Sequence, residues 1–158
     1  MNQHPPSKRY WEDFPAGHVH EFGSKHVTRE EVLAFAREFD PQPFHLDDAA
    51  AEASLFGRLS ASGWHTCAMM MRMTVDDYLR DSSSLGSPGI ENLRWLRPVY
   101  PGDTLSVRLE VLEARVMTSK PHVGLTRSRW EVLNQQREVV LRMEGWGMFG
   151  RRPPPAAE

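Results

Sequence analysis

SGWHTCAMMMRMTVDDYL, Ser62 to Leu79, is the stretch on which the fold turns. Ser62 is a good helix N-cap, and Trp64, Cys67, Ala68, Met71, Val75, Tyr78 and Leu79 then recur at helical spacing on one face. Met69, Met70 and Met73 add apolar groups off that face, so the helix is apolar over most of its first three turns. A helix of that kind is normally surrounded by protein. The fold question becomes what surrounds it.

The text that follows supplies an answer. Leu105, Val107, Leu109 and Val111 alternate with Ser106, Arg108 and Glu110, the period-two pattern of a half-buried strand. Ile90 to Val99, His122 to Leu133 and Val139 to Phe149 also read as strands, parted by turns at Pro101–Asp103, Ser119–Pro121 and Asn134–Gln136. SSSLGSPG, Ser82 to Gly89, reads as the linker between the helix and this meander. Ahead of the helix, His18 to Val27 reads as a strand. Thr28 with Glu31 forms a capping-box pattern opening a helix to Phe39, with Val32, Phe35, Ala36 and Phe39 on its apolar face. One strand, helices, then a meander of four strands argue an α+β domain in which a curved antiparallel sheet wraps a long buried helix.

Length and composition agree with a single folded unit. The 158 residues suit one domain, and 40% apolar with 25% charged residues is ordinary for a globular chain. The proline-rich ends set the boundaries: residues 1–9 as a flexible N-terminus, 10–150 as the folded domain and 151–158 as a flexible tail. A net charge of -2 gives no general attraction to nucleic acid or to an anionic membrane. The N-terminus lacks an apolar signal region and no apolar run is long enough to span a bilayer, so neither export nor membrane insertion is expected. The lone Cys67 forms no intrachain disulfide, suits a reducing cytoplasm and reads as a small buried hydrophobe.

The chemistry concentrates in FDPQPFHLDD, Phe39 to Asp48. Pro41 pushes Asp40 out of the helix, and Pro41 and Pro43 limit the freedom of the loop that carries Asp40 and His45. An aspartate and a histidine held close together can exchange protons with one bound water near neutral pH. Beyond the Ser62 cap, the Gly63 N–H is a candidate donor to a carbonyl oxygen that gains negative charge. Such a set suits water addition to, or elimination from, an activated double bond. The alternatives are a helix stop at Asp40 with capping roles for Asp47 and Asp48, and an oxygen-rich metal site, which lacks the paired spacing of zinc motifs. Asp48 is read as the cap of a short turn through Ala49–Ala51 and Ala53.

Asp40-Pro41-Gln42-Pro43-Phe44-His45 resembles the motif of the MaoC-like, hydratase-2 family of hot-dog-fold proteins, which includes (R)-specific enoyl-CoA hydratases. SGW with Gly63 matches the glycine at the head of the family's helix, and RPVYPGDTL, Arg97 to Leu105, its turn between strands. The resemblance covers residues 10–150. It implies a hot-dog fold and an acyl-CoA hydratase/dehydratase with Asp40 and His45 as catalytic dyad and Gly63 as oxyanion donor. Gln42, Phe44 and Trp64 are implied as loop or substrate contacts. It implies no metal and no cofactor, acyl-CoA as substrate, and a homodimer or dimer of dimers. Gln42 and Phe44 depart from the usual asparagine and aliphatic residue, and Met71 stands where some relatives have a serine near the acid. An acyl-CoA thioesterase and a non-catalytic acyl-CoA-binding subunit are the alternatives on the same fold. Arg94, Arg97, Lys120 and Arg127 could meet CoA phosphates, but alternating arginines are more often a solvated face.

Overall fold

Between the first strand, β1 (Val19–His26), and the first helix, α1 (Arg29–Phe39), Thr28 caps the helix as its spacing predicts. Its hydroxyl accepts from the Glu31 N–H, and the Glu31 carboxylate in turn accepts from the Thr28 N–H at 3.2 Å. The computed structural model describes residues 8–157. After α1 come a 3₁₀ turn at Pro43–His45, the short α2 (Asp48–Glu52) and α3 (Gly63–Thr74), which runs on into a π-helical turn at Val75–Leu79. Four strands complete the chain: β2 (Ser84–Trp95), β3 (Thr104–Val116), β4 (Val123–Leu133) and β5 (Val139–Gly150).

All five strands form one antiparallel sheet in the order β1-β3-β4-β5-β2. Its concave face packs on α3, giving the hot-dog arrangement. Leu105, Val107, Leu109 and Val111 of β3 are buried, as their alternation requires. The opposite face carries rows of charge: Arg108 and Arg142 pair with Glu131, and Arg129 with Glu110. Arg127 belongs to this outer network through Glu91 and Glu144.

Three sequence expectations are corrected. The buried side of α3 is Met69, Met70 and Met73 with His65, Thr66 and Thr74, whereas Trp64, Met71 and Val75 of the expected face are exposed. With apolar residues nearly all round, periodicity alone could not choose which side met the sheet. Each buried methionine stabilises the fold by roughly 1.5–3 kcal/mol. Ser82–Gly89 is not a linker, because β2 begins at Ser84 and pairs with β5 through three register shifts. Its glycines, with Gly86 at φ 100°, permit bulges that continue the strand where a turn would otherwise end it. Finally, Asp47 rather than Asp48 caps α2, accepting from the Ala50 N–H at 2.8 Å, while Asp48 pairs with Arg29.

At the expected domain ends, Arg9 bridges to Ser82, and Arg151 and Arg152 pair with Glu12 and Asp13. Residues 1–7 and 158, on which parts of both expected flexible ends fall, lie outside the described residues. Among the described residues no helix is long and apolar enough to cross a membrane.

The approach of α3 to the sheet depends on Gly23. It sits at φ 81° in the β1 bulge between Phe22 and Lys25, and a methyl group there would lie 2.5 Å from Met73 Sδ. Gly23→Ala combines a left-handed backbone penalty with overpacking, so it is expected to cost about 2 kcal/mol or more. The midpoint of urea unfolding reads this loss.

Candidate functional site

Asp40 leaves α1 at φ -148° and ψ 68°, outside the helical region that the following proline disfavours, while its N–H still closes the last helical turn on Ala36 O. Pro43 then starts the 3₁₀ turn that ends at His45. These two constraints bring Asp40 Oδ2 within 3.4 Å of His45 Nε2. His45 Nδ1 lies 2.7 Å from the Ser60 carbonyl oxygen. A carbonyl only accepts, so Nδ1 carries a proton and Nε2 is the nitrogen turned toward Asp40.

The acid is held at both oxygens. Gln42 Nε2 donates to Oδ1 at 2.7 Å, and Ser62 Oγ donates to Oδ2 at 2.7 Å. Ser62 Oγ also accepts from the Trp64 N–H at 3.3 Å, so one fully buried hydroxyl caps α3 and grips the acid. Burial raises the pKa of Asp40, but the bonds from Ser62 and Gln42 and the charge of nearby His45 outweigh it and hold the carboxyl below its ordinary value. Asp40 is therefore an anionic acceptor at neutral pH.

Gly63 opens the first turn of α3, where amides lack intrahelical acceptors. The ring of Trp95 lies against it. Trp95 Nε1 donates to Gly63 O at 2.9 Å, and a methyl at Gly63 would meet that ring at 2.5 Å. Glycine is needed for this contact as well as for approach to the amide.

Asp40, Gln42, His45, Gly63 and Trp64 line one cavity of about 350 Å³. Phe44 does not line it. Its ring packs edge-on against His45 at 4.7 Å and on Phe56, supporting the histidine from behind. Phe56, Thr66, Trp95 and Arg97 also line the cavity, and neither periodicity nor a motif marks the first three as site residues. Ser62 was legible only as a cap. A second cavity of about 190 Å³, nearly all apolar, lies farther along α3 between Met70, Met71 and Thr74 and the glycines of β2 and β5. Cys67 is half-buried, and burial pushes its thiol pKa up, which suits packing rather than nucleophilic attack.

The chain matches the family model described as "MaoC like domain" over residues 14–132. The MaoC-like dehydratase of Rhodospirillum rubrum is 39% identical, with a TM-score of 0.84 over 92% of this chain and 99% of that one. Uncharacterised protein YdeM of Bacillus subtilis is 29% identical over 133 residues, 84% of this chain and 93% of its own. Mesaconyl-CoA hydratase of Cereibacter sphaeroides is 36% identical over 78 residues, which span 47% of this chain and 22% of that protein.

Ser62→Ala removes a donor to the ionised acid and is expected to raise the pKa of Asp40, read by carbon NMR of its carboxylate. Because the native pKa is depressed, Asp40 stabilises the fold above its unfolded value near 3.8, and this contribution is lost as pH falls through the native value. The variant should show a smaller rise in stability across that acid range, with Ser62→Thr retaining most of it. An unchanged Asp40 titration in Ser62→Ala would remove the tuning role.

Proposed function

The chain belongs to the MaoC-like domain family, and from that premise we propose that it adds water reversibly across the double bond of a 2-enoyl thioester. The observation that carries this reading is the approach of Asp40 Oδ2 to His45 Nε2, 3.4 Å apart at the wall of one cavity. With Nδ1 committed to Ser60, a neutral His45 offers only a lone pair at Nε2, and the ionised Asp40 offers only lone pairs. Two acceptors at that separation bind a water through its two hydrogens and turn its oxygen toward the cavity.

In hydration, the water oxygen bonds to Cβ as one O–H bond breaks and its proton passes to the dyad. The electron pair of the double bond moves toward the thioester, and the Gly63 N–H donates to the enolate oxygen that forms. A proton from the dyad then bonds to Cα. The sum is one water added and the dyad restored. Dehydration follows the same steps in reverse. The apolar second cavity, reached along the Gly63, Thr66, Met70 and Thr74 side of α3, is the place for the acyl chain in this reading. Its methionines suit chains of variable shape.

Purified protein is expected to abolish the conjugated-enoyl absorbance of short 2-enoyl-CoAs with a mass gain of one water. Asp40→Asn should lower the rate by roughly 10²–10⁴-fold. Full activity in Asp40→Asn would sink the dyad. Release of free thiol instead would identify a thioesterase, and tight binding without turnover across the panel a non-catalytic subunit.

The same reading includes a homodimer. β2 is an edge strand with exposed Leu85, Ile90 and Trp95, and it adjoins the exposed Trp64, Met71 and Val75 of α3 through the Trp64–Trp95 ring contact at 5.2 Å. An unpaired edge beside an apolar stripe is a surface that a second copy would cover. Sedimentation should give twice the 18.1 kDa chain mass or a multiple of that dimer, and Ile90→Lys should shift it toward monomer. A monomeric wild type at micromolar concentration would overturn the dimer.

A further inference from the structure

We propose that Arg97 recognises an anionic oxygen group of the substrate, carboxylate or phosphate, at the catalytic cavity. This rests on the hydratase reading of that cavity. Its wall is mainly apolar, with Trp64, Trp95 and Pro98 among its surfaces, and Asp40 supplies a negative charge. Arg97 is the one arginine or lysine among the described residues that line it. A cavity holding an ionised aspartate and no fixed cation would repel an anionic ligand. Arg97 offsets that charge and places a local cation at the wall, for which a neutral ligand would have no use.

The guanidinium is anchored rather than loose. The Arg97 N–H donates to Val140 O at 3.3 Å, and Pro98 restricts the backbone of Arg97 that precedes it. The side chain pairs through Nε with Glu138 Oε2 at 2.9 Å. Glu138 is itself placed by the β4–β5 turn, where Asn134 N donates to Glu138 O and Asn134 Oδ1 accepts from Glu138 N, both at 3.0 Å. With Nε engaged, the terminal amino groups remain as a planar fork of the kind that binds carboxylate or phosphate in bidentate fashion. The side chain is 58% exposed, so it can meet a ligand entering from solvent. Arg108, Arg127, Arg129 and Arg142 instead pair within the charge rows on the outer face of the sheet.

The test compares wild type, Arg97→Gln and Glu138→Gln on three thioesters. 2-Butenoyl-CoA carries phosphates, mesaconyl-CoA carries phosphates and an acyl carboxylate, and 2-butenoyl-N-acetylcysteamine carries neither. Arg97→Gln is expected to raise KM roughly tenfold or more for an anionic thioester, with kcat altered less than about threefold and the neutral thioester unaffected. An equal rise for both CoA thioesters assigns the contact to phosphate, and a rise for mesaconyl-CoA alone assigns it to the carboxylate. Glu138→Gln keeps a side-chain oxygen to hold Nε and removes only the competing negative charge, so it should lower the same KM, an effect that damaged packing would not produce. A uniform rise across all three thioesters, or none with any, overturns the proposal. Calorimetric binding of the three compounds to wild type and Arg97→Gln separates the two readings. Anion-dependent affinity lost in Arg97→Gln, with no hydration by wild type, would sink the hydratase and leave the Arg97 contact standing. Affinities indifferent to Arg97, with hydration intact, would do the opposite.

Discussion

One buried hydroxyl joins the helix to the acid. Ser62 Oγ donates to Asp40 Oδ2 and accepts from the Trp64 N–H, and the sense of the first bond is forced because an ionised carboxylate has no proton to give. The first turn of α3 and the loop after α1, separated by 22 residues, are thereby tied at a single atom. Gly63 stands next in the chain to that atom. A shift of the helix end would therefore carry the Gly63 amide and the bond to the acid with it.

The position of the helix end is in turn set by the sheet. α3 closes on β1 only because Gly23 bulges away from a methyl-sized clash with Met73, and it meets β2 through Trp95 packed on Gly63. These two glycines do different work. Gly23 adopts a backbone conformation that other residues resist, whereas Gly63 is helical and is needed for the space above it. The sheet covers the Met69, Met70 and Met73 side of α3 and leaves the Trp64, Met71 and Val75 side open. That opening lies on the same side as the unpaired edge of β2, as the Trp64–Trp95 contact and the second cavity shared by Met71 and Ile90 require.

Legibility in the sequence followed the strength of local rules. The Thr28–Glu31 box, the helix stop before Pro41 and the alternation from Leu105 to Val111 are short-range constraints with one good solution, and each forms as its spacing predicts. The acid and histidine were legible for the same reason, since prolines fix the loop between them. The buried side of α3 was not, because its apolar residues outnumber the positions one sheet can cover. β2 was obscured by glycines and serines that signal turns in isolation but form bulges when a neighbouring strand supplies the hydrogen bonds. Phe56, Thr66 and Trp95 reach the cavity, and the Ser60 carbonyl reaches His45, through contacts distant in sequence, and no spacing rule reports those.

The departures from the family motif acquire a physical sense once the acid's bonds are traced. A partly buried carboxylate beside a histidine needs its lone pairs filled, or its orientation and charge are unguarded. Gln42 fills Oδ1 from within the loop, two residues away, and Ser62 fills Oδ2 from the helix cap. Met71 lies two turns farther along α3 and faces outward, so a hydroxyl there is not what holds this acid. The capping serine supplies that bond, and position 71 is free to be apolar. Its side chain then contributes to the second cavity and to the exposed stripe beside β2. With its donor at the helix cap, the acid is held independently of the surface along the rest of the helix, and each can vary without disturbing the other.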